Sequence, residues 1–262
     1  MVSWTRRRED VGGLALNVRE LTSDGPTLVL LHGLGASGAV WQGVGRLLHP
    51  SLRLIAPDLR GHGASDKPAT GYLPRDYASD VATLLTLQPI SPVVLLGHSL
   101  GAVVAMLVAA ERPELVGKLV LVDPPFDPDR PRDHIEAVAR LRHEPSGALE
   151  RYLQEREPGL GDLYARAIAD LFRSAADGPF QAAQRSEPGF ATQAAVLRSV
   201  GAPTLLIAAD PTLDAALGEK AAHTLAASLR DGRLLTIPGA RHAVHASHPR
   251  DFATAVVGFV QE

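Results

Sequence analysis

Six short runs of nearly unbroken apolar residues, most of them followed by a helix-length segment, constrain this chain more than any other feature. The runs occupy residues 28–31, 52–56, 93–96, 119–122, 204–207 and, less cleanly, 234–237. A strand with one face in water alternates apolar and polar residues, whereas a strand buried on both faces does not. These runs therefore predict a mostly parallel sheet covered by helices on both sides. The helix-length segments lie at 38–48, 74–87, 100–111, 213–228 and 249–260. Strand then helix, repeated, predicts a doubly wound α/β fold built with right-handed crossovers. Ahead of the first run, residues 8–10 and 14–20 flank Gly12-Gly13, a turn signal that predicts an antiparallel hairpin at the leading edge and brings the sheet to eight strands.

One interval interrupts the rhythm. Residues 124–200 contain no clear strand but hold helical stretches near 132–143, 147–157 and 162–174. The expected division is a core of residues 1–123 and 201–262, with a helical cap of residues 124–200 inserted between late strands over the strand ends. The interval carries Phe126, Phe172, Phe180, Phe190, Tyr152 and Tyr164, four of the six phenylalanines and two of the four tyrosines. These rings are expected to form the cap's own small core, with a pocket wall as the alternative. Its arginines, among them Arg130, Arg132, Arg140, Arg142 and Arg151, are expected to be solvated surface.

At 262 residues, 45% hydrophobic and 21% charged, the chain is long enough for one large domain with an insertion. Its 26 basic and 29 acidic side chains leave a net charge of −3, so no nucleic acid or other polyanion partner is implied. Cysteine is absent, which excludes disulfides, thiolate metal sites and a cysteine nucleophile. The amino terminus lacks a signal-peptide core, and the most apolar stretch, residues 102–110, is too short to cross a bilayer. A cytoplasmic protein with no membrane partner is expected; the oligomeric state is left open.

The run at 93–96 leads into Gly97-His98-Ser99-Leu100-Gly101 and then a helical segment. A serine at a sharp strand-to-helix turn is held in a strained backbone geometry with its hydroxyl projecting from the sheet. Glycines two residues on either side are required because a side chain there would strike the neighbouring strand or helix. The helix amino terminus directs free N–H groups toward the point where an oxyanion develops. Ser99 is thus the candidate nucleophile, and it needs a base. Of ten histidines, His242 sits where one is wanted, in a loop after the last strand at the edge where open α/β sheets bind ligands. His242, His245 and His248 are spaced at intervals of three, but they lack a carboxylate partner, so packing or a helix entry is expected of the latter two rather than a metal site.

Two glycine-rich loops complete the pattern. Leu31-His32-Gly33-Leu34-Gly35 can supply an amide donor opposite the turn, and Asp58-Leu59-Arg60-Gly61-His62-Gly63-Ala64-Ser65-Asp66 follows the next run. On these loops, Gly97–Gly101, and Pro238-Gly239-Ala240 with His242, the chain resembles the α/β-hydrolase superfamily, specifically its cap-bearing serine hydrolases. The resemblance covers nearly the whole chain and is weakest in residues 124–200. It implies Ser99 as nucleophile, His242 as general base, and the backbone N–H groups of Leu34 and Leu100 as oxyanion donors. His32, Asp58, Arg60 and His62 are expected to hold loops rather than move protons.

The third member of the triad is open. The family usually carries its acid just past the strand before the last one, often as Gly-x-x-Asp, but this region reads Ala208-Ala209-Asp210-Pro211-Thr212-Leu213-Asp214. Asp210 is the first choice. Asp123, one strand earlier and ahead of Pro124-Pro125, is the second, with a cap-hinge role as its alternative; Asp214 is the third. The implied activity is hydrolysis of a carboxylic ester of a small to medium apolar molecule, a small-molecule substrate, without cofactor or metal. Lactonase, thioesterase, carbon–carbon bond hydrolase and cofactor-free perhydrolase chemistry use the same groups. The broken acid motif also leaves room for a non-catalytic ligand-binding protein on this scaffold.

Overall fold

The computed structural model describes residues 3–49, 51–88, 92–127, 129, 133–145, 147–157, 159–185 and 196–262; Phe190, Arg130 and Arg132 lie outside the described residues. Strands β1 (Thr5–Asp10), β2 (Ala15–Leu21), β3 (Thr27–Leu31), β4 (Arg53–Pro57), β5 (Val93–His98), β6 (Val116–Val122), β7 (Thr204–Ala208) and β8 (Gly232–Thr236) form one sheet in the order β1-β2-β4-β3-β5-β6-β7-β8. The hairpin β1–β2 and the β2–β4 pair are antiparallel, and every later pair is parallel. Gly12 and Gly13, both at positive φ (94° and 87°), make the hairpin turn.

Helices α1 (Gln42–Leu48), α2 (Pro74–Thr86), α3 (Leu100–Glu111), α8 (Glu219–Ser228) and α10 (Pro249–Gln261) flank the sheet, with a single turn, α9 (Val244–Ser247), leading into the last. Alternate residues of each central strand feed two separate cores. Val29, Leu31, Leu95, Leu119, Leu121 and Leu206 pack toward α2, α3 and α8. Leu28, Leu30, Val94, Leu96, Val120 and Ile207 pack toward Trp41, α1 and α10. This two-sided burial explains why the runs are continuous in apolarity although the strand period is two. Helix α3 lies against β5 and α2 with Leu100 through Ala109 all buried.

Between β6 and β7 the chain passes through α4 (Asp133–Leu141), α5 (Ala148–Arg156), α6 (Asp162–Ser174) and α7 (Asp177–Arg185). The fourth helix has no counterpart in the sequence reading, because Gly178-Pro179 near its start reads as a breaker; the proline sits in the first turn, where its missing N–H costs nothing. The segment expected to be helical from residue 213 stays irregular up to Gly218, and α8 begins only at Glu219. Val138, Leu149, Leu153, Ala169 and Phe180 form a small third cluster that also touches Leu34 of the core.

Phe172 and Phe180 take both expected roles, belonging to the third cluster and lining a cavity, whereas Phe126 takes neither and joins the main core. Arg142 departs from the expected solvated surface. It is 5% exposed, stacks on Phe180 at 4.4 Å, and donates to the carbonyls of Ala175 and Ala176 while pairing with Asp177 at 3.0 Å. Its guanidinium thereby closes the C-terminal end of α6 on α4. Ala176 in turn donates its N–H to the Gly61 carbonyl at 2.7 Å, tying the inserted helices to the loop after β4.

Candidate active site

The sharp turn between β5 and α3 is built by exclusion. A Cβ on Gly97 would sit 2.0 Å from the Gly101 carbonyl oxygen, and one on Gly101 would sit 2.3 Å from that of Leu31. Only bare backbone lets strand, helix and neighbouring strand approach this closely. Ser99 at the apex takes φ 52° and ψ −117°. Among the described non-glycine residues, only Ser99 and Asp123 (φ 40°) have positive φ, a conformation that side chains disfavour and that clusters at functional sites. Leu100 is the first residue of α3, so its N–H has no acceptor one turn earlier in the helix. Across from it, the loop after β3 reaches the serine because Gly33 has no side chain: a Cβ there would lie 3.2 Å from the Ser99 Cβ. Leu34, which follows, lines the same cavity as Ser99, Leu100 and His242.

His32 holds this loop. Its Nε2 accepts the Leu59 N–H at 2.9 Å, so the proton is on Nδ1, which donates to the Gly33 carbonyl at 2.8 Å. Burial keeps its pKa below the ordinary value. The buried Asp58 pins the adjoining loops, accepting from Asn17, from the N–H groups of Gly38 and Ala64, and from Arg19. Arg60 is paired with Asp80.

The carboxylate beside His242 is that of Asp123 and not that of Asp210. Asp123 Oδ2 lies 2.7 Å from His242 Nδ1 and also accepts the Ala216 N–H at 2.8 Å. Asp210 faces away: its Oδ1 accepts from the Thr212 N–H and hydroxyl, and its Oδ2 from the Gly239 N–H at 2.8 Å, so it shapes the loops that carry the histidine. Asp214 takes neither position. Its Oδ1 accepts the His242 backbone N–H at 3.3 Å and lies 3.7 Å from Arg241. The physical reason is reach. The irregular segment 210–218 runs through turns rather than a helix and hands the Ala216 N–H to Asp123, which leaves the end of β6, directly beside β5, as the origin of the nearest carboxylate.

Burial lowers the pKa of His242, but the hydrogen bond and charge of Asp123, joined by Asp214, outweigh it and hold the imidazole above its ordinary value. His98, to which no sequence pattern assigns a role, lies beside it. Its Nε2 donates to the His242 carbonyl at 3.0 Å, and the two rings are 4.6 Å apart. His245 packs 4.4 Å from the Trp41 ring and 6.2 Å from that of Phe252, and burial takes its pKa down to about 3. His248 contacts the Ser247 hydroxyl at 3.2 Å, just before Pro249. Among the described residues, no three His, Asp or Glu side chains are grouped so as to hold a metal ion, and no helix is long and apolar enough to cross a membrane.

Ser99 and His242 open into one cavity of about 480 Å³. Its upper wall comes from the inserted helices and is apolar around Ile135, Val138, Ile168, Leu171, Phe172 and Phe180. A second stretch of wall is polar, with His134, Arg156 and Asp214. His134 stacks on Tyr152 and shares a 3.0 Å hydrogen bond with its hydroxyl, and burial, helped by Arg156, lowers its pKa to about 4.

A sheet of this strand order, with a serine on a strained turn after the central strand and a carboxylate-held imidazole at the same edge, defines the α/β-hydrolase class of protein. The family model for the alpha/beta hydrolase family matches residues 28–255, and the chain belongs to that family. It is 34% identical to the 2-(acetamidomethylene)succinate hydrolase of Mesorhizobium japonicum, over 97% of this chain and 94% of that protein. It is 31% identical to the pimeloyl-[acyl-carrier protein] methyl ester esterase of Pectobacterium carotovorum, over 89% of this chain and 94% of that one. The crystal structure of E-2-(acetamidomethylene)succinate hydrolase superposes with a TM-score of 0.82 at 29% identity, covering 99% of this chain and all of the other.

Proposed function

We propose that this α/β hydrolase cleaves carboxylic esters through an acyl-enzyme on Ser99, with His242 as general base and Asp123 as the acid that orients it. The 2.7 Å contact between Asp123 and His242 Nδ1 carries the reading. It fixes the tautomer with Nε2 unprotonated and turned away from Asp123, and it stabilises the imidazolium that forms in the reaction. Nε2 takes the Ser99 proton as Oγ attacks the ester carbonyl. The backbone N–H groups of Leu34 and Leu100 receive the negative oxygen of the tetrahedral intermediate. The intermediate collapses, the alcohol leaves with the proton returned by His242, and water, deprotonated by the same imidazole, releases the acid. The inserted helices serve as a cap whose apolar wall receives the hydrocarbon part of the substrate, and the likeness to a methyl ester esterase supports an ester as the bond broken.

A second substrate reading has its own observation. Arg156 puts a cation on the polar stretch of the cavity wall, beside a neutral His134 and the carboxylate of Asp214, and the likeness to a hydrolase named for a succinate derivative favours substrates that carry an acidic group.

Labelling with a fluorophosphonate tests the catalytic assignment. Wild-type protein is expected to label at Ser99 and Ser99→Ala not at all. A folded wild type that stays unlabelled would point to a binding protein. A chain-length series of p-nitrophenyl esters, run beside lactones, thioesters and acid-bearing esters, then orders the substrates.

A further inference from the structure

Four bonds hold His242, and only one touches its reactive ring. Asp123 takes Nδ1, Asp214 takes the backbone N–H at 3.3 Å, and the backbone carbonyl accepts both from the Val244 N–H of its own loop and from His98 of the nucleophile turn, each at 3.0 Å. His98 is the residue immediately before Ser99, at the end of β5, and it is 7% exposed. We propose that His98 is a positioning residue that sets the separation of Ser99 and His242, by bolting the histidine loop directly to the nucleophile turn.

A carbonyl oxygen cannot donate, so the bond to His242 requires the proton of His98 on Nε2 and leaves Nδ1 bare. That Nδ1 faces the third loop of the site, 3.1 Å from where a Gly33 Cβ would stand. The His98 ring thus lies between the serine turn, the histidine loop and the loop carrying Leu34, while its other side packs 5.0 Å from the His245 ring. Burial, reinforced by His242 and His245, holds its pKa well below the ordinary value. The donor is therefore neutral and constant wherever His242 titrates. A charged lysine or arginine at this position would place a cation against the imidazolium that forms in catalysis, and an apolar residue would leave the His242 carbonyl only the Val244 N–H of its own loop, which ties it to nothing on the nucleophile turn.

This inference rests on the reading of Ser99 and His242 as nucleophile and base, and the experiment separates the two. Wild type, His98→Leu and His98→Gln are compared by fluorophosphonate labelling rate, by kcat and KM on a p-nitrophenyl ester, and by pH profile; His98→Ala replaces the leucine variant if that variant does not fold. Leucine keeps the bulk and removes the donor, whereas the glutamine amide can donate to the same carbonyl. Small displacements of reacting groups cost up to about 100-fold in rate. The expected result for His98→Leu is therefore a fall in kcat and labelling rate of about 10- to 100-fold, with KM little changed. Its acid limb should also move to lower pH, because a loosened loop weakens the Asp123 contact that raises the His242 pKa. His98→Gln should recover most of the rate and the wild-type acid limb. The proposal is overturned if labelled, folded His98→Leu keeps the wild-type rate and pH profile, or if leucine and glutamine impair the protein equally. A wild type that does not label at Ser99 overturns the catalytic reading itself.

Discussion

Asp123 and His242 stand 119 residues apart in the chain and 2.7 Å apart in space, and the carboxylate in that contact is fully buried. Such a carboxylate holds the imidazole tautomer and offsets the charge that forms on it. Asp123→Asn is therefore expected to lower kcat by about 10⁴-fold, as loss of the acid does in Ser-His-Asp enzymes generally. Asp210→Asn should leave kcat of the same order as wild type and act mainly on the loop that Asp210 holds through Gly239 and Thr212. Steady-state kinetics of the two variants on one ester decide the matter, and a larger loss at Asp210 would reassign the acid.

The raised pKa of His242 fixes the sign of the pH dependence. In the proposed role of base His242 must be unprotonated, so kcat/KM should climb with pH through a single acid limb whose midpoint lies above the ordinary histidine value of 6.5, then level off. His245, at about 3, and His98, lower than an ordinary histidine, are neutral throughout and add no second limb. Linkage runs the other way. The Asp123–imidazolium bond contributes fully to folding below pH 6.5 and its contribution fades as pH rises through the folded pKa of His242. In Asp123→Asn the acid limb should move to lower pH; an unmoved limb would deny Asp123 its influence on the base.

How far the sequence announces this arrangement depends on the range of the interactions involved. The sheet was legible because buried parallel strands leave continuous apolar runs, and the serine turn because Gly97 and Gly101 are required by contacts within a few residues and a neighbouring strand. The acid was not legible. Asp123, Asp210 and Asp214 all lie near strand ends on the correct edge, and the choice among them turns on whether residues 210–218 coil into a helix or form irregular turns. That outcome is set by tertiary bonds such as Ala216 N–H to Asp123. His98 was hidden for a different reason: its partner is a backbone carbonyl 144 positions away, and no side-chain pattern marks a carbonyl. The helix α7 was masked by Gly178-Pro179, and the burial of Arg142 depends on carbonyls at the end of α6 that only the folded insertion assembles.

Gly33 makes a sharp test of the oxyanion role proposed for its loop. Adding one methyl group would set it 3.2 Å from the Ser99 Cβ and 3.1 Å from His98 Nδ1, so the loop or the serine turn must give by a few tenths of an ångström. Removing an oxyanion donor typically costs about 10²–10³ in kcat, and Gly33→Ala is expected to approach that loss while the melting temperature changes little. Gly97→Ala, by contrast, drives a Cβ to 2.0 Å from a backbone oxygen and should cost about 1–3 kcal/mol or more of stability. Thermal melts beside kinetics distinguish a displaced loop from a broken turn, and equal destabilisation by both substitutions would refute the distinction.

The Asp58 cluster predicts a stability effect away from the chemistry. Its carboxylate is fully buried and is joined to Arg19, which is itself 7% exposed. Substituting Asp58 by alanine leaves that buried cation without its carboxylate and the Gly38 and Ala64 N–H groups without their acceptor, a loss expected to be about 3–5 kcal/mol. Although burial alone would raise the Asp58 pKa, its hydrogen bonds and positive neighbours lower it below the ordinary value. The contribution is thus present at neutral pH and is lost as pH falls through that lowered pKa. Denaturant titrations at neutral and acid pH check both the size and the sign, and an Asp58→Ala protein as stable as wild type would remove the cluster from the account of the fold.

Phe172 bears on substrate length. Its ring lies against Gly35 so closely that a Cβ there would come within 2.2 Å, and together with Phe180, 6.3 Å away between ring centroids, it walls the cavity where the inserted helices meet the core loop. Phe172→Ala opens that wall on the side where the hydrocarbon part of an ester would extend. Each methylene newly accommodated in an apolar pocket is worth about 1–3 kcal/mol of transition-state binding. The optimum of kcat/KM along a p-nitrophenyl ester series should therefore move to longer acyl chains, with activity on the shortest ester falling as its contacts are lost. If the optimum stays where it is in wild type, the acyl group does not lie against this wall, and the polar stretch formed by His134 and Arg156 becomes the side on which it is sought.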